Sequence, residues 1–335
     1  MNPANPGSFN HRTAKLSTGR TYHFIDQSPA DVSRNAPTIL CLHGFPDLWY
    51  GWRFQIAPWN RAGYRVVVPD LLGYGGTDMP GEVEAYSSKN ICRDLAALLD
   101  FLGISKAIVA GHDWGAFTAA RFALWHPDRL SALVIVSVPF TPPAPHYRAP
   151  EEAAKIYPDF GYQVYFADPR SSSEIESDLS FFFRLLFRNG NPVGWSKLGE
   201  LKGLMSNIQK VDLPTQGLIL TEEEHKYYIS QFQRGINGPL SYYRTGRHRF
   251  EEEKAGRLPS SLPKELPVLF IYGTVDQTCP PPAVKSMHKF IPNLDDVALP
   301  NVGHWALLEE PKKVAEIVEQ WLKKNGQAPE ARSRL

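Results

Sequence analysis

Five apolar runs punctuate the chain, at residues 38–42, 65–68, 107–110, 133–138 and 268–272. Most are rich in valine and isoleucine. None alternates apolar with polar, so each predicts a strand buried on both faces rather than one half open to solvent. Helical spacing fills the intervals, as at 91–102 and 116–125. Strands alternating with helices imply an α/β fold, a mainly parallel sheet covered by helices on both sides. Residues 20–26 add an expected antiparallel strand at the start, and the chain is expected to close with two strands, 268–272 and one more, and a helix at 312–324.

The rhythm changes between 140 and about 265. That interval opens on Pro142-Pro143-Ala144-Pro145 and holds no convincing strand. Ile175, Leu179, Phe182 and Leu186 fall on one helical face. Thr221 with Glu224 makes a capping box ahead of Tyr228 and Phe232. The expected organisation is a core in two parts, 1–139 and 266–335, interrupted by an aromatic-rich helical cap at 140–265. A chain of 335 residues has room for one large α/β domain with such an insertion.

Composition narrows the partners. The formal net charge is +1, so no charge excess points to nucleic acid or to an anionic membrane. Cys41, Cys92 and Cys279 are too few and too far apart for a disulfide framework or a zinc cluster. They fit a reducing compartment. The first residues lack the apolar run of a signal peptide. The longest apolar stretch, 132–140, falls far short of the ~20 residues that span a bilayer. The expectation is a soluble, cytoplasmic protein. Ser333-Arg334-Leu335 resembles an SKL-type peroxisomal address with arginine for lysine; a plain charged tail is the other reading.

Chemistry concentrates at three places. Gly111-His112-Asp113-Trp114-Gly115 follows the run at 107–110 and precedes a helix. It has the small-x-nucleophile-x-small pattern of a nucleophile elbow. The sharp turn strains the central residue and leaves no room for side chains two positions to either side. The central residue here is Asp113, not serine. It sits where a helix N-terminus favours an anion, although a helix cap is the other use of an aspartate at such a turn. His43-Gly44-Phe45-Pro46-Asp47 follows the first buried run, where this architecture supplies a second oxyanion donor. The N–H of Phe45 would pair with that of Trp114. Pro46 cannot donate but stiffens the loop, a cis bond being one way to do so. His43 reads as a structural hydrogen-bonder. Last come Asp276, after the run at 268–272, and then His304. Nucleophile, acid, histidine is the chain order of hydrolase triads on this fold.

With these motifs, the chain resembles the α/β-hydrolase-fold epoxide hydrolases from about residue 12 to 325. The matching stretches are the His43–Asp47 loop, the run GYGGTD at 73–78, the elbow, Tyr162-Gln163-Val164-Tyr165-Phe166, Gly238-Pro239-Leu240-Ser241-Tyr242-Tyr243-Arg244, Asp276, and Gly303-His304-Trp305. The resemblance implies an α/β-hydrolase fold with an inserted helical cap. It also implies two cap tyrosines aimed at the nucleophile, which map by motif onto Tyr162 and Tyr243, with Tyr165 and Tyr242 as neighbouring candidates. The implied substrate-contacting set is Phe45, Pro46, Trp114, Tyr162, Gln163, Tyr243 and Trp305.

An aspartate at the elbow changes the reaction class. A serine would trap an epoxide carbon as a stable ether, whereas an aspartate forms an ester that can be cleaved at its own carbonyl. The leaving alkoxide needs a proton, and a phenol of pKa about 10 is a suitable donor. His304, oriented by Asp276, would activate water for the second step. The expected partners are a small apolar epoxide and water, with no metal and no organic cofactor. A haloalkane dehalogenase would share the nucleophile and histidine but would need halide-binding N–H groups instead of phenols. A non-catalytic receptor on the same fold would not need the full triad.

Overall fold

The computed structural model describes residues 1–30, 36–190 and 217–329. The tripeptide Ser333-Arg334-Leu335 lies outside them. Eight strands form one sheet: β1 (His11–Lys15), β2 (Thr21–Gln27), β3 (Thr38–Leu42), β4 (Arg65–Pro69), β5 (Ala107–His112), β6 (Leu130–Val136), β7 (Val268–Gly273) and β8 (Leu294–Leu299). Their spatial order is β1-β2-β4-β3-β5-β6-β7-β8. The pairs β1/β2 and β2/β4 are antiparallel, and every other neighbouring pair is parallel. Every residue of β3 and β5 is buried, as unbroken apolar runs require of strands covered on both faces.

The sheet's edges are β1, which no apolar run predicts, and β8, the second strand expected in the closing part, whose position no apolar run fixes. In β1 the Arg12 guanidinium pairs with Asp26 of β2. In β8 Asp295 takes the Trp321 indole N–H at 2.8 Å. Edge strands keep polar side chains because one side faces water and must not recruit another strand. The run at 133–138 ends as a strand at Val136, two residues early. Ser137 adopts a φ of 71° and Val138 N–H turns back to the Val136 carbonyl at 2.9 Å.

Between β6 and β7 the described chain is helical: Pro150–Ile156, Gly161–Ala167, Ser171–Glu176, Leu179–Leu186, Glu222–Gln231, Asn237–Arg244 and Gly246–Ala255. The face expected for Ile175, Leu179, Phe182 and Leu186 is split between two helices. Asp178 breaks it, its carboxylate accepting Phe181 N–H at 2.9 Å and so capping a new helix. Ile175, Phe182 and Leu186 are buried even so. The Thr221–Glu224 capping box forms as expected, with reciprocal bonds of 3.2 and 2.9 Å.

Polar ties join this insertion to the sheet layer. Arg53, only 1% exposed, donates to Glu224 at 2.9 Å and to the Tyr50 carbonyl at 3.1 Å. Tyr228 O–H donates to Asp47 at 2.6 Å, and Tyr242 O–H to the Leu72 carbonyl at 3.1 Å. A buried guanidinium left without its carboxylate costs about 3–5 kcal/mol. Glu224→Gln keeps a capping-box residue but removes the charge. It should therefore lower unfolding stability by about 3 kcal/mol, read from chemical denaturation. Exchanging Arg53 and Glu224 together for apolar residues should recover much of that loss.

Candidate active site

The elbow is built from β5, Asp113 and the helix Trp114–Trp125. Asp113 has φ 54° and ψ −119°, a conformation that L residues adopt only under constraint. The constraint is close packing. A Cβ on Gly115 would lie 2.1 Å from the Leu42 carbonyl oxygen, and one on Gly44 would lie 2.3 Å from the Asp113 Cβ. The loop after β3 thus approaches Asp113 as only glycine permits. Phe45 N–H donates to Asp113 Oδ1 at 2.7 Å, and Trp114 opens the helix whose first N–H groups have no partner within it.

His43 shapes that loop. Its Nδ1–H donates to the Gly44 carbonyl and its Nε2 accepts Leu71 N–H, both at 2.9 Å. Burial lowers its pKa to about 4, so it stays neutral and structural. The Phe45–Pro46 peptide is cis, and Pro46 is buried.

His304 stands between two carboxylates. Its Nδ1 lies 3.1 Å from Asp276 Oδ2 and its Nε2 3.6 Å from Asp113 Oδ2. Asp276 Oδ1 is held in turn by the Thr278 backbone N–H at 2.9 Å and the Thr278 hydroxyl at 2.8 Å. Burial works against a charge on His304, but Asp276 and then Asp113 outweigh it and lift its pKa to about 10. Burial likewise opposes the Asp113 charge, yet the His304 contact and Phe45 N–H leave its pKa below the usual carboxylate value. His304 therefore holds its proton at neutral pH.

This raised pKa makes stability depend on pH. The folded chain holds the His304 proton at pH values where an unfolded histidine, pKa about 6.5, has lost it. The contribution is complete below pH 6.5 and lost as pH rises through about 10. Melting temperature should fall across that window, and the fall should shrink in His304→Gln at the same pH values.

Tyr162 and Tyr243 come together from two helices, with ring centroids 6.3 Å apart. Burial first, and then the Asp113 charge, raises the pKa of both, so both hold their protons at neutral pH. Gln163 Nε2 donates to the Tyr162 hydroxyl oxygen at 3.4 Å. The neighbouring candidates are committed elsewhere. Tyr165 O–H donates to Glu174 at 3.0 Å, and Tyr242 O–H to the Leu72 carbonyl. Trp305 is a joint between layers: its indole N–H donates to the Leu186 carbonyl at 2.7 Å, and it stacks on Phe187 at 4.1 Å.

Residues without an assignment from sequence complete the site. Phe166 packs 5.0 Å from both Phe45 and Tyr243 and, with Trp114, makes the surroundings of Asp113 aromatic. Asp47 accepts Leu48 N–H and Tyr228 O–H at 2.8 and 2.6 Å, and burial pushes its pKa up to about 7. It lies in the His43–Asp47 loop motif, so its position was legible but not its tie to the insertion. Thr278 carried no signal, since the bond follows from a turn. Among the described residues no His, Cys, Asp or Glu group could hold a metal, and no helix is long and apolar enough to cross a membrane.

Known proteins resemble this chain over most of its length. A family model described as alpha/beta hydrolase fold matches residues 37–311. Bifunctional epoxide hydrolase 2 of Mus musculus is 32% identical over 99% of this chain. The chain spans only about three fifths of that relative's length, 59%. Epoxide hydrolase 3 of Siraitia grosvenorii is 34% identical, covering 86% of this chain and 92% of its own. Among solved structures, an epoxide hydrolase variant of Vigna radiata superimposes with a TM-score of 0.82 at 30% identity, covering 95% of this chain and 99% of that one. The elbow, the triad order and these likenesses converge: the chain belongs to the α/β-hydrolase-fold epoxide hydrolase family.

Proposed function

We propose that this chain hydrolyses a small apolar epoxide to a vicinal diol through an alkyl ester on Asp113. The observation that carries the reading is the division of labour between the two Asp113 oxygens. Oδ1 accepts Phe45 N–H, while Oδ2 is the oxygen on the His304 side. Oδ2 is the nucleophile in this reading. It attacks an epoxide carbon, the ring C–O bond breaks, and the alkoxide takes a proton from Tyr162 or Tyr243.

The second half-reaction follows from the first. Ester formation removes the Asp113 charge, and with it part of what holds the proton on His304. The imidazolium gives up that proton, restoring the tyrosine, and becomes a base. Water then loses a proton to His304 and attacks the Asp113 carboxyl carbon. Phe45 and Trp114 N–H groups stabilise the oxyanion on Oδ1. The bond between the carboxyl carbon and Oδ2 breaks, and the diol departs with the original Oδ2 and the second proton of the attacking water, leaving Asp113 a carboxylate and His304 protonated. The aromatic lining of Phe45, Trp114 and Phe166 supports an apolar substrate. In this reading the core carries the triad, and the insertion, as a cap, carries the two proton donors.

The test is a single turnover of styrene oxide in heavy-oxygen water. The label should enter Asp113, located by peptide mapping, and the first diol should carry none. A labelled first diol with unlabelled Asp113 would mean that water attacks the epoxide directly, and the ester pathway would be wrong. Haloalkanes should release no halide, since phenols rather than halide-binding N–H groups face the nucleophile in this reading.

A further inference from the structure

One backbone carbonyl in the site is held by two buried side chains. The oxygen of His304 accepts a hydrogen bond from Ser137 Oγ and another from His112 Nε2–H, each at 2.8 Å. Both donors are fully buried. Burial lowers the His112 pKa to about 4, so its ring is neutral and the bond fixes its proton on Nε2. Neither residue touches the reacting atoms in the mechanism above.

Ser137 also sits in an unfavourable backbone conformation. Its φ is 71°, and Val138 N–H returns to the Val136 carbonyl at 2.9 Å across it. A three-residue turn of this hand is rare and strained for a residue with a Cβ. The turn is tied down on every side. Ser137 N–H donates to Ile271 of β7 at 2.9 Å, its carbonyl accepts the Cys279 thiol, and Val136 O also accepts Asp113 N–H at 3.4 Å. The turn therefore joins the elbow, the end of β7 and the histidine loop. Strain at a buried serine whose hydroxyl ends on the histidine's own carbonyl calls for a function.

We propose that Ser137, with His112 beside it, is a positioning residue for His304. The two bonds fix the histidine backbone, and with it the line along which Nε2 reaches the Asp113 carboxyl. This inference rests on the reading of His304 as the activator of water. It then makes a demand on the kinetics. Alkylation needs Asp113 and a phenol but not an aimed imidazole, whereas hydrolysis of the ester needs the imidazole aimed at the attacking water. Loosening the carbonyl should slow only the second step.

The experiment compares Ser137→Gly and Ser137→Ala with the native chain and with His304→Gln, using styrene oxide and rapid-quench mass spectrometry. Glycine accepts a φ of 71° without strain, so loss of folding does not obscure the result. Alanine keeps the Cβ, so an effect common to both belongs to the hydroxyl. Both variants should hydrolyse the ester on the order of ten-fold more slowly. Alkylation should stay within about two-fold of native, so the alkylated fraction at steady state rises. Native-like hydrolysis in Ser137→Gly would overturn the proposal, and so would an equal slowing of both steps. If His304→Gln itself accumulates no ester, the proposed mechanism fails and the positioning role falls with it, a result distinct from the other two.

Discussion

Mixed with an epoxide, His304→Gln is expected to gain the mass of one substrate molecule and keep it, with peptide mapping placing the adduct on Asp113. Ester hydrolysis should fall on the order of a thousand-fold, the range that a positioned general base contributes. The reason lies in what each neighbour of Asp113 does. The Phe45 N–H on Oδ1 is a backbone donor and survives the substitution. The phenols also survive, so ring opening retains its nucleophile and proton donor. The imidazole is lost, and with it the only base proposed to take the proton of the attacking water. Glutamine is uncharged, so Asp113 also loses the charge that lowers its pKa. Some slowing of alkylation toward acid pH is therefore expected, and the adduct should form fastest above neutrality. Asp113→Ala should gain no mass at any pH. If His304→Gln turned over at the native rate, or if the adduct mapped to another residue, the division between the two half-reactions would be wrong.

How much of this was legible before folding follows from what sequence patterns encode. The central strands announce themselves because burial on both faces demands unbroken apolar runs, as in β3 and β5. Edge strands send a weaker signal, so β1, with its Arg12–Asp26 pair, went unmarked. The elbow is legible because its glycines are required by contacts within one local turn. The helical face from Ile175 to Leu186 misleads because periodicity registers apolar spacing and passes over a break. Asp178 places a cap inside it.

The site divides along the same line. Asp113, Asp276 and His304 follow from motif and order, because each stands just past a strand. Tyr162 and Tyr243 needed the family resemblance, since helical tyrosines look like core aromatics. What separates them from Tyr165 and Tyr242 is tertiary: the Asp113 charge acts on Tyr162 and Tyr243, whereas Tyr165 and Tyr242 donate to Glu174 and to the Leu72 carbonyl. Ser137, His112 and Thr278 were out of reach for a similar reason. Their bonds to His304 and Asp276 depend on where three separate strand ends meet, and no spacing in the chain records it.

The tyrosines carry the second large effect. Tyr162→Phe and Tyr243→Phe should each slow ring opening on the order of ten- to a thousand-fold, and the double variant should be almost inactive. Each substitution removes a hydroxyl but keeps the ring, so the packing of Phe45, Phe166 and Tyr243 around the nucleophile survives. Burial and the Asp113 charge raise the pKa of both phenols, which keeps the donors loaded but resists phenolate formation. In the proposed mechanism part of that resistance disappears as the ester forms, because the Asp113 charge would be consumed in the same step that calls for the proton. Gln163, donating to the Tyr162 oxygen, further eases phenolate formation there. The defect should therefore lie in alkylation: no ester should accumulate in the double variant, even combined with His304→Gln. Epoxides activated by electron-withdrawing substituents, whose alkoxides are weaker bases, should suffer least. Native turnover in the double variant would remove both phenols from the mechanism. Native alkylation with slowed hydrolysis would instead move them to the second step, beside His304.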